Sequence, residues 1–178
     1  VFAQTSRAVL IEGETGTGKD VLARYIHAHG KRSDRPFMPV NCTAIASTLL
    51  EDELFGHEIG AFTGADKQRE GLVRAAHGGT LFLDEMGDMS PDLQAKLLRL
   101  YEGGGIRAVG SDVVLTPDIR LIAATNADLK QRMEAGTFRR DLYHRIAAHR
   151  LVVPPLRERP EDVLILAEYC LHEAQGEG

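Results

Sequence analysis

Short apolar runs alternate with amphipathic stretches along most of this sequence. The apolar runs predict strands at residues 8–11, 37–40, 80–83, 119–124 and 147–153. The amphipathic stretches predict helices at residues 19–29, 44–55 and 91–101, the last with Pro91 in its first turn. Alternating strands and helices are typical of βαβ units. We therefore expect an α/β fold with a mostly parallel sheet that is covered on both faces.

Two consecutive prolines, Pro154 and Pro155, interrupt this alternation, and a further helix is predicted from about residue 160 to about residue 174. We therefore predict an α/β core over residues 1–154 and the start of a helical subdomain over residues 155–178. The sequence starts with Val1, and its last helical pattern ends in Gly-Glu-Gly. We interpret it as a fragment of a longer protein, with processing of a short N-terminus as the alternative.

Composition and charge narrow the class of protein. The chain has 178 residues, of which 43% are hydrophobic and 26% are charged, as expected for a soluble globular domain. No apolar run reaches the ~18 residues of a membrane helix. Two cysteines without nearby partners exclude a disulfide framework and a zinc knuckle, which fits a reducing cytoplasm. The net charge of −5 argues against a general basic surface that coats nucleic acid.

A glycine-rich segment follows the first predicted strand and opens the first predicted helix. It matches the P-loop pattern up to its lysine, so its backbone N–H groups and that lysine are expected to bind phosphate oxygens. Asp20 stands where Ser or Thr normally contacts Mg²⁺, and its carboxylate is expected to bind the metal instead. A glycine-rich turn without a ligand is the alternative. The candidate nucleotide-binding residues are Gly13, Glu14, Thr15, Gly16, Thr17, Gly18, Lys19 and Asp20.

Polar residues follow two other predicted strands. Asp84 and Glu85 end the apolar run 80–83, and Asn126 follows the run 119–124. Because the carboxyl ends of parallel strands meet at one edge of the sheet, these residues are expected near the glycine-rich segment. We predict that Asp84 holds Mg²⁺ and that Glu85 deprotonates the water that attacks a γ-phosphate. Asn126 is a candidate γ-phosphate sensor, or else only a helix cap.

Two glycine-punctuated segments, 56–65 and 103–110, do not fit the alternation and predict projecting loops or hairpins. In the first, Phe62 lies between glycines, and an exposed ring on a mobile tip suits contact with a partner. The alternative is a ring that packs against its own domain. A later segment, 139–159, contains six arginines, which local pattern alone would assign to a solvated helix face.

One hexapeptide in the first of these segments is a family signature, GAFTGA, formed by Gly60, Ala61, Phe62, Thr63, Gly64 and Ala65. Its surroundings also match: ELFGHE at 53–58, GGTLFLDE at 78–85, FRRDLYHR at 138–145 and PLRER at 155–159. On these motifs, the chain resembles the central AAA+ ATPase domain of sigma-54-dependent transcriptional activators, the bacterial enhancer-binding proteins. The resemblance covers almost the whole chain, and Asp20 stands where this family commonly has Glu.

The resemblance implies a three-layer P-loop NTPase core followed by a helical lid. It also implies Mg²⁺-dependent ATP hydrolysis in a ring, expected to be a hexamer, that remodels sigma-54 RNA polymerase through the GAFTGA loop. Arg139 and Arg145 match the family's arginine fingers, and Asn41 matches a residue that restrains the catalytic glutamate. Contact with DNA would belong to a domain outside this chain. The alternatives are another AAA+ remodelling ATPase and a nucleotide-responsive assembly module that does not hydrolyse ATP.

Overall fold

In the computed structural model, which describes residues 2–176 apart from the side chains at 47, 48 and 173–176, the central element is a five-stranded parallel sheet. Its strands are β1 Val9–Glu12, β2 Phe37–Asn41, β3 Thr80–Asp84, β4 Arg120–Thr125 and β5 His149–Val152. They lie in the order β2-β3-β4-β1-β5. Because neighbouring strands pair in parallel, all five carboxyl ends lie along one edge of the sheet.

The described part of the chain forms seven α-helices. They are α1 Lys19–Ala28, α2 Ser47–Phe55, α3 Leu72–Ala75, α4 Pro91–Tyr101, α5 Leu129–Glu134, α6 Arg140–Ile146 and α7 Asp162–Gly176. Short 3₁₀ turns lie at Phe2–Gln4, Met86–Asp88 and Leu156–Glu158. No helix among the described residues is long and apolar enough to cross a membrane.

The strands bury apolar side chains on both faces, which separates the core into two clusters. Alternate residues of β1 show this: Leu10 packs with the larger cluster, which includes residues of α2, α4 and α6. Val9 and Ile11 pack with the smaller cluster, which includes Ala23 and Ile26 of α1. Side chains that alternate between two covered faces produce three layers. The predicted three-layer α/β fold is therefore confirmed.

Several boundaries differ from the predicted ones, each for a local reason. Helix α2 begins at Ser47 and not at 44, because Asn41 Oδ1 accepts hydrogen bonds from the N–H groups of Thr43 and Ala44 and holds that segment in a turn. Helix α7 begins at Asp162, after a turn in which the Asp162 N–H donates to Arg159. The pattern does not predict α3 and α6, and it indicates α5 only through the possible cap at Asn126, because four to seven residues give little periodicity.

The two glycine-punctuated segments contain isolated bridges and no regular strand in the described chain. His57 bridges to Arg69 and to Val109, and Ile106 bridges to Leu115. The predicted division at Pro154 and Pro155 stays a prediction. Val1, Glu177 and Gly178, which enter the interpretation of the chain as a fragment, lie outside the described residues.

Candidate functional site

The glycine-rich segment forms a tight loop between β1 and α1. Gly16 and Gly18 have φ values of 80° and 89°, in the left-handed region that favours glycine. The buried Lys19 folds back over the loop, and its Nζ donates to the carbonyl oxygens of Gly13 at 3.0 Å and Glu14 at 3.1 Å. Helix α1 starts at Lys19, so the loop ends at a helix N-terminus that favours a bound anion. The geometry is that of a phosphate-binding loop.

The two acidic residues predicted from the sequence follow β3 at the same edge of the sheet. Glu85 is the one non-glycine residue in the described part of the chain with a positive φ, with φ 50° and ψ 41°. Its Oε1 lies 3.5 Å from Lys19 Nζ, and its side chain is only 14% exposed. Its N–H donates to Asp84 Oδ1 at 3.0 Å. The strained backbone at Glu85 therefore accompanies a carboxylate that faces the loop.

Asn126, which follows β4, joins the loop to Glu85. Its backbone N–H donates to Glu85 Oε2 at 2.9 Å, and its side-chain Nδ2 donates to Thr15 Oγ1 at 2.8 Å. The N-cap of α5 is Asp128, whose Oδ1 accepts from the N–H groups of Lys130 and Gln131. Asp128, and not Asn126, therefore caps this helix. The side chain of Asn126 instead lies in the cleft.

These groups line one open cleft of about 380 Å³ that carries four carboxylates and one lysine. Burial raises the pKa of Asp84 above its usual range, and the charges of Glu85 and Asp20 add to that increase, while Lys19 opposes it. The cleft is lined by Thr15, Gly16, Gly18, Lys19, Asp20, Asn41, Thr43, Asp84, Glu85, Asp88 and Asn126.

The same carboxylates fit a magnesium ion. No group of three or more His, Cys, Asp or Glu side chains suited to a metal occurs among the described residues. Mg²⁺ does not need one, because it is commonly held by one or two carboxylates together with phosphate oxygens and water. Asp84 and Asp20 have the carboxylate oxygens for such a site. The negative charges of Glu85 and Asp20 repel that of Asp84, and a bound cation would reduce this repulsion.

Asn41 lies in the cleft but is engaged locally. Its Oδ1 accepts from the Thr43 N–H at 2.9 Å, from the Thr43 hydroxyl at 2.8 Å and from the Ala44 N–H at 3.1 Å. Among the described hydrogen bonds, Glu85 is held by Asn126 and not by Asn41. The restraining role that the family resemblance implies for Asn41 stays a prediction.

The Gly60–Ala65 loop is closed by two backbone hydrogen bonds, from the Gly60 N–H to Ala65 and from the Ala65 N–H to Phe62. The Phe62 side chain is 48% exposed, and its ring meets the His57 ring edge-on at a centroid distance of 4.9 Å. Both alternatives for this ring hold in part, since it packs against its own domain and still offers a face to solvent.

A buried polar cluster beneath this loop could not be read from the sequence. Asp52 accepts hydrogen bonds from His57 Nδ1 and from Arg69, and His57 Nε2 lies 2.7 Å from the Lys67 carbonyl oxygen. Asp52 and Arg69 are 17 residues apart, a separation with no local pattern. The cluster fixes the start of the segment that carries Phe62.

Two arginines after the double proline also contact the phosphate loop. Arg157 forms a bidentate pair with Glu14, which holds the pKa of that carboxyl below its usual range. Arg159 Nη2 donates to the Thr17 carbonyl oxygen at 2.9 Å. Both arginines belong to the arginine-rich segment 139–159, and no sequence pattern predicts their contacts with the phosphate loop.

The predicted fingers Arg139 and Arg145 are exposed and do not line the cleft of their own chain. Arg139, at the N-cap of α6, binds Asp141 through Nε at 3.0 Å and Nη2 at 2.7 Å. Arg145 donates to the Tyr101 carbonyl oxygen at 2.9 Å. Both guanidinium groups are therefore on the surface of the described chain.

Comparison with known proteins agrees with this geometry. The family described as the sigma-54 interaction domain matches residues 1–152. The transcriptional regulatory protein ZraR of Salmonella typhimurium is 52% identical over 171 residues, which are 96% of this chain and 39% of that protein. The regulatory protein LuxO of Vibrio cholerae is 51% identical over 175 residues, which are 98% of this chain and 33% of that protein. The chain thus spans well under half the length of these relatives.

Among solved structures, NtrX from Brucella abortus in complex with ADP has a TM-score of 0.86 and 37% identity over 94% of this chain and 37% of that one. The P-loop NTPase domain of an Escherichia coli sigma-54 activator has a TM-score of 0.56 at 21% identity over 86% of this chain and 87% of that one, and supports the fold alone. The chain therefore belongs to the sigma-54 interaction domain family, the AAA+ domain of sigma-54-dependent transcriptional activators.

Proposed function

We propose that this chain hydrolyses ATP in a ring of identical subunits and uses the Gly60–Ala65 loop to remodel sigma-54 RNA polymerase. The observation that carries the proposal is the contact of Glu85 with both Lys19 and Asn126 in one cleft. A cleft that only holds nucleotide does not need a second carboxylate beside Asp84. The similarity to NtrX, solved with ADP and with ATP, supports the choice of nucleotide.

The charged side chains that contact the phosphate loop or the metal site each have a role in this proposal. The amides of the phosphate loop and Lys19 bind the phosphates, and Asp84 and Asp20 would hold Mg²⁺. When bound, that ion supplies neutralisation of phosphate charge. Glu85 Oε1 forms an ion pair with Lys19, and Oε2 accepts a hydrogen bond from the Asn126 N–H, which orients the carboxylate to take a proton from the attacking water.

The positions of Arg139 and Arg145 support the proposed ring of subunits. A guanidinium stabilises the charge that develops on a transferring phosphoryl group only when it reaches that group. Both arginines are exposed and lie outside their own cleft, so each would act on the nucleotide of a neighbouring subunit. Asp141 holds the Arg139 guanidinium until that neighbour is present.

The half-exposed Phe62 is the proposed contact with sigma-54. Aromatic residues are enriched in the core of protein interfaces, and the exposed face of Phe62 lies next to the hydroxyl of Thr63. The Phe62 ring meets His57 edge-on and is about half exposed, so we expect it to leave this packing when the loop moves. Movement of the loop with the state of the nucleotide would then drive the polymerase towards the open complex.

Steady-state hydrolysis by the intact protein tests the catalytic assignment. Glu85→Gln keeps the size of the side chain and removes the base, so we expect a loss of about 10²–10⁴-fold in kcat with nucleotide binding retained. Glu134→Gln, at an exposed position of α5, is the matched control and should leave hydrolysis unchanged. Binding is followed with a fluorescent ADP analogue. Hydrolysis by Glu85→Gln at the wild-type rate would refute the proposal.

A further inference from the structure

A fully buried glutamine on α4 joins two segments that are far apart in the sequence. Gln94 Nε2 donates to the carbonyl oxygens of Met89 at 2.7 Å and Thr137 at 3.0 Å. Its Oε1 accepts from the Arg139 N–H at 2.8 Å. The amide thus uses both donor hydrogens and its acceptor on backbone groups, two of which lie 43 and 45 residues away.

The two segments belong to different parts of the proposed mechanism. Met89 ends the turn that starts at Glu85, in which the Asp88 N–H donates to Glu85 and the Met89 N–H donates to Met86. Thr137 leads into α6, whose N-cap is Arg139, the proposed finger. Gln94 therefore bonds the backbone that follows the proposed base to the backbone that carries the finger.

Arg132 on α5 joins the same two segments a second time. Its Nη1 donates to the Gly87 carbonyl oxygen at 2.8 Å, and its Nη2 binds the Asp88 carboxylate. Its own carbonyl oxygen accepts from the Thr137 N–H at 3.0 Å and from the Phe138 N–H at 3.2 Å. Two independent side chains thus tie one turn to one helix start, and a shift of the turn is passed to the Arg139 backbone.

We propose that Gln94, supported by Arg132, is a positioning residue that couples the cleft of each subunit to the finger which that subunit offers its neighbour. The turn after Glu85 sets the position of the Arg139 backbone through the Gln94 amide. This inference rests on the proposed function, since it requires Arg139 to act on a neighbouring nucleotide. A glutamine that only filled the core would instead affect the cleft and the finger alike.

Mixed assemblies of the intact protein separate these roles. A donor subunit carries Lys19→Ala, which removes its own phosphate contact but keeps Arg139. An acceptor subunit carries Arg139→Ala and keeps its own cleft. Each is expected to be inactive alone, and the mixture is expected to recover hydrolysis. A mixture that stays inactive would refute the proposed function, and this inference with it.

Gln94→Met is then added to one subunit type at a time. Methionine has a similar length and leaves the three backbone groups without the amide. In the donor, we expect the recovered kcat to fall at least about tenfold with KM within about twofold, because a small misplacement of a charge-stabilising group is costly. In the acceptor, which contributes no finger, we expect a loss of less than about threefold.

The asymmetry is the decisive result. Equal losses in donor and acceptor, or no loss in the donor, would overturn the proposal. Arg132→Met provides a second test at a side chain that is 34% exposed and therefore less important for folding. It should show the same preference for the donor, and an equal loss from both subunit types would contradict the coupling. Size distributions of every mixture confirm that rings form.

Discussion

The left-handed backbone at Glu85 predicts that two substitutions with the same effect on hydrolysis differ in their effect on stability. Both Glu85→Ala and Glu85→Gly remove the carboxylate, so neither should hydrolyse ATP. At φ 50° a non-glycine residue stores strain of about 1–3 kcal/mol, which glycine releases. The greater freedom of glycine in the unfolded chain returns about 0.4–1 kcal/mol of that gain. We therefore expect the free energy of unfolding of Glu85→Gly to be about 1 kcal/mol higher than that of Glu85→Ala.

Urea unfolding of the two variants measures this difference. With a urea slope of about 2 kcal/mol per molar, the midpoint of Glu85→Gly should lie about 0.5 M above that of Glu85→Ala. The exposed Val21, inside α1, provides the control, because glycine at a helical position is less stable than alanine by about 1 kcal/mol. The order of the two substitutions should thus reverse between the two sites. A Glu85→Ala variant as stable as Glu85→Gly would refute the left-handed geometry.

Two further predictions concern the finger and a buried histidine. Asp141→Asn frees the Arg139 guanidinium, so hydrolysis by the assembled protein should rise, by at most about fivefold because the pair is exposed; a fall in rate would contradict this. His27, whose ring lies 3.0 Å from the Thr80 hydroxyl, has its pKa lowered by burial and then by Arg120. The unfolded chain therefore binds the proton more readily, and stability should fall as the pH drops through about 6.5. Urea midpoints at pH 8 and pH 5.5 check this, since the advantage of wild type over His27→Gln should shrink at the lower pH, and a constant difference would contradict it.

The sequence was sufficient for the parts of the fold that depend on continuous burial. The middle residues of β3 and β4, 81–83 and 121–124, are continuously apolar because both faces of those strands are covered. The same rule predicted that Lys19, Asp84 and Asn126 would meet, since the carboxyl ends of parallel strands share an edge. The position of the cleft therefore followed from strand order and motif spacing.

Other features depend on contacts that no local pattern encodes. Gln94 has the sequence of an ordinary polar position on a helix, and its role comes from backbone groups more than 40 residues away. The left-handed backbone of Glu85 could not be predicted, because glycine is the residue that usually indicates this conformation and position 85 is a glutamate. The link from His57 to Asp52 and Arg69 likewise exists only once the loop has folded. Such tertiary polar networks produce no repeating pattern of residues along the sequence, so they cannot be predicted from it.

In the proposed function, hydrolysis in the cleft and contact with sigma-54 at the loop are separate steps carried out by one chain. Capture of sigma-54 by the intact protein, with ADP and aluminium fluoride as a transition-state mimic, tests it most directly in Thr63→Ala. Thr63 belongs to the exposed loop and does not line the cleft. We expect Thr63→Ala to hydrolyse ATP within about twofold of the wild-type rate and to lose capture of sigma-54. Capture of sigma-54 by Thr63→Ala at the wild-type level would contradict it.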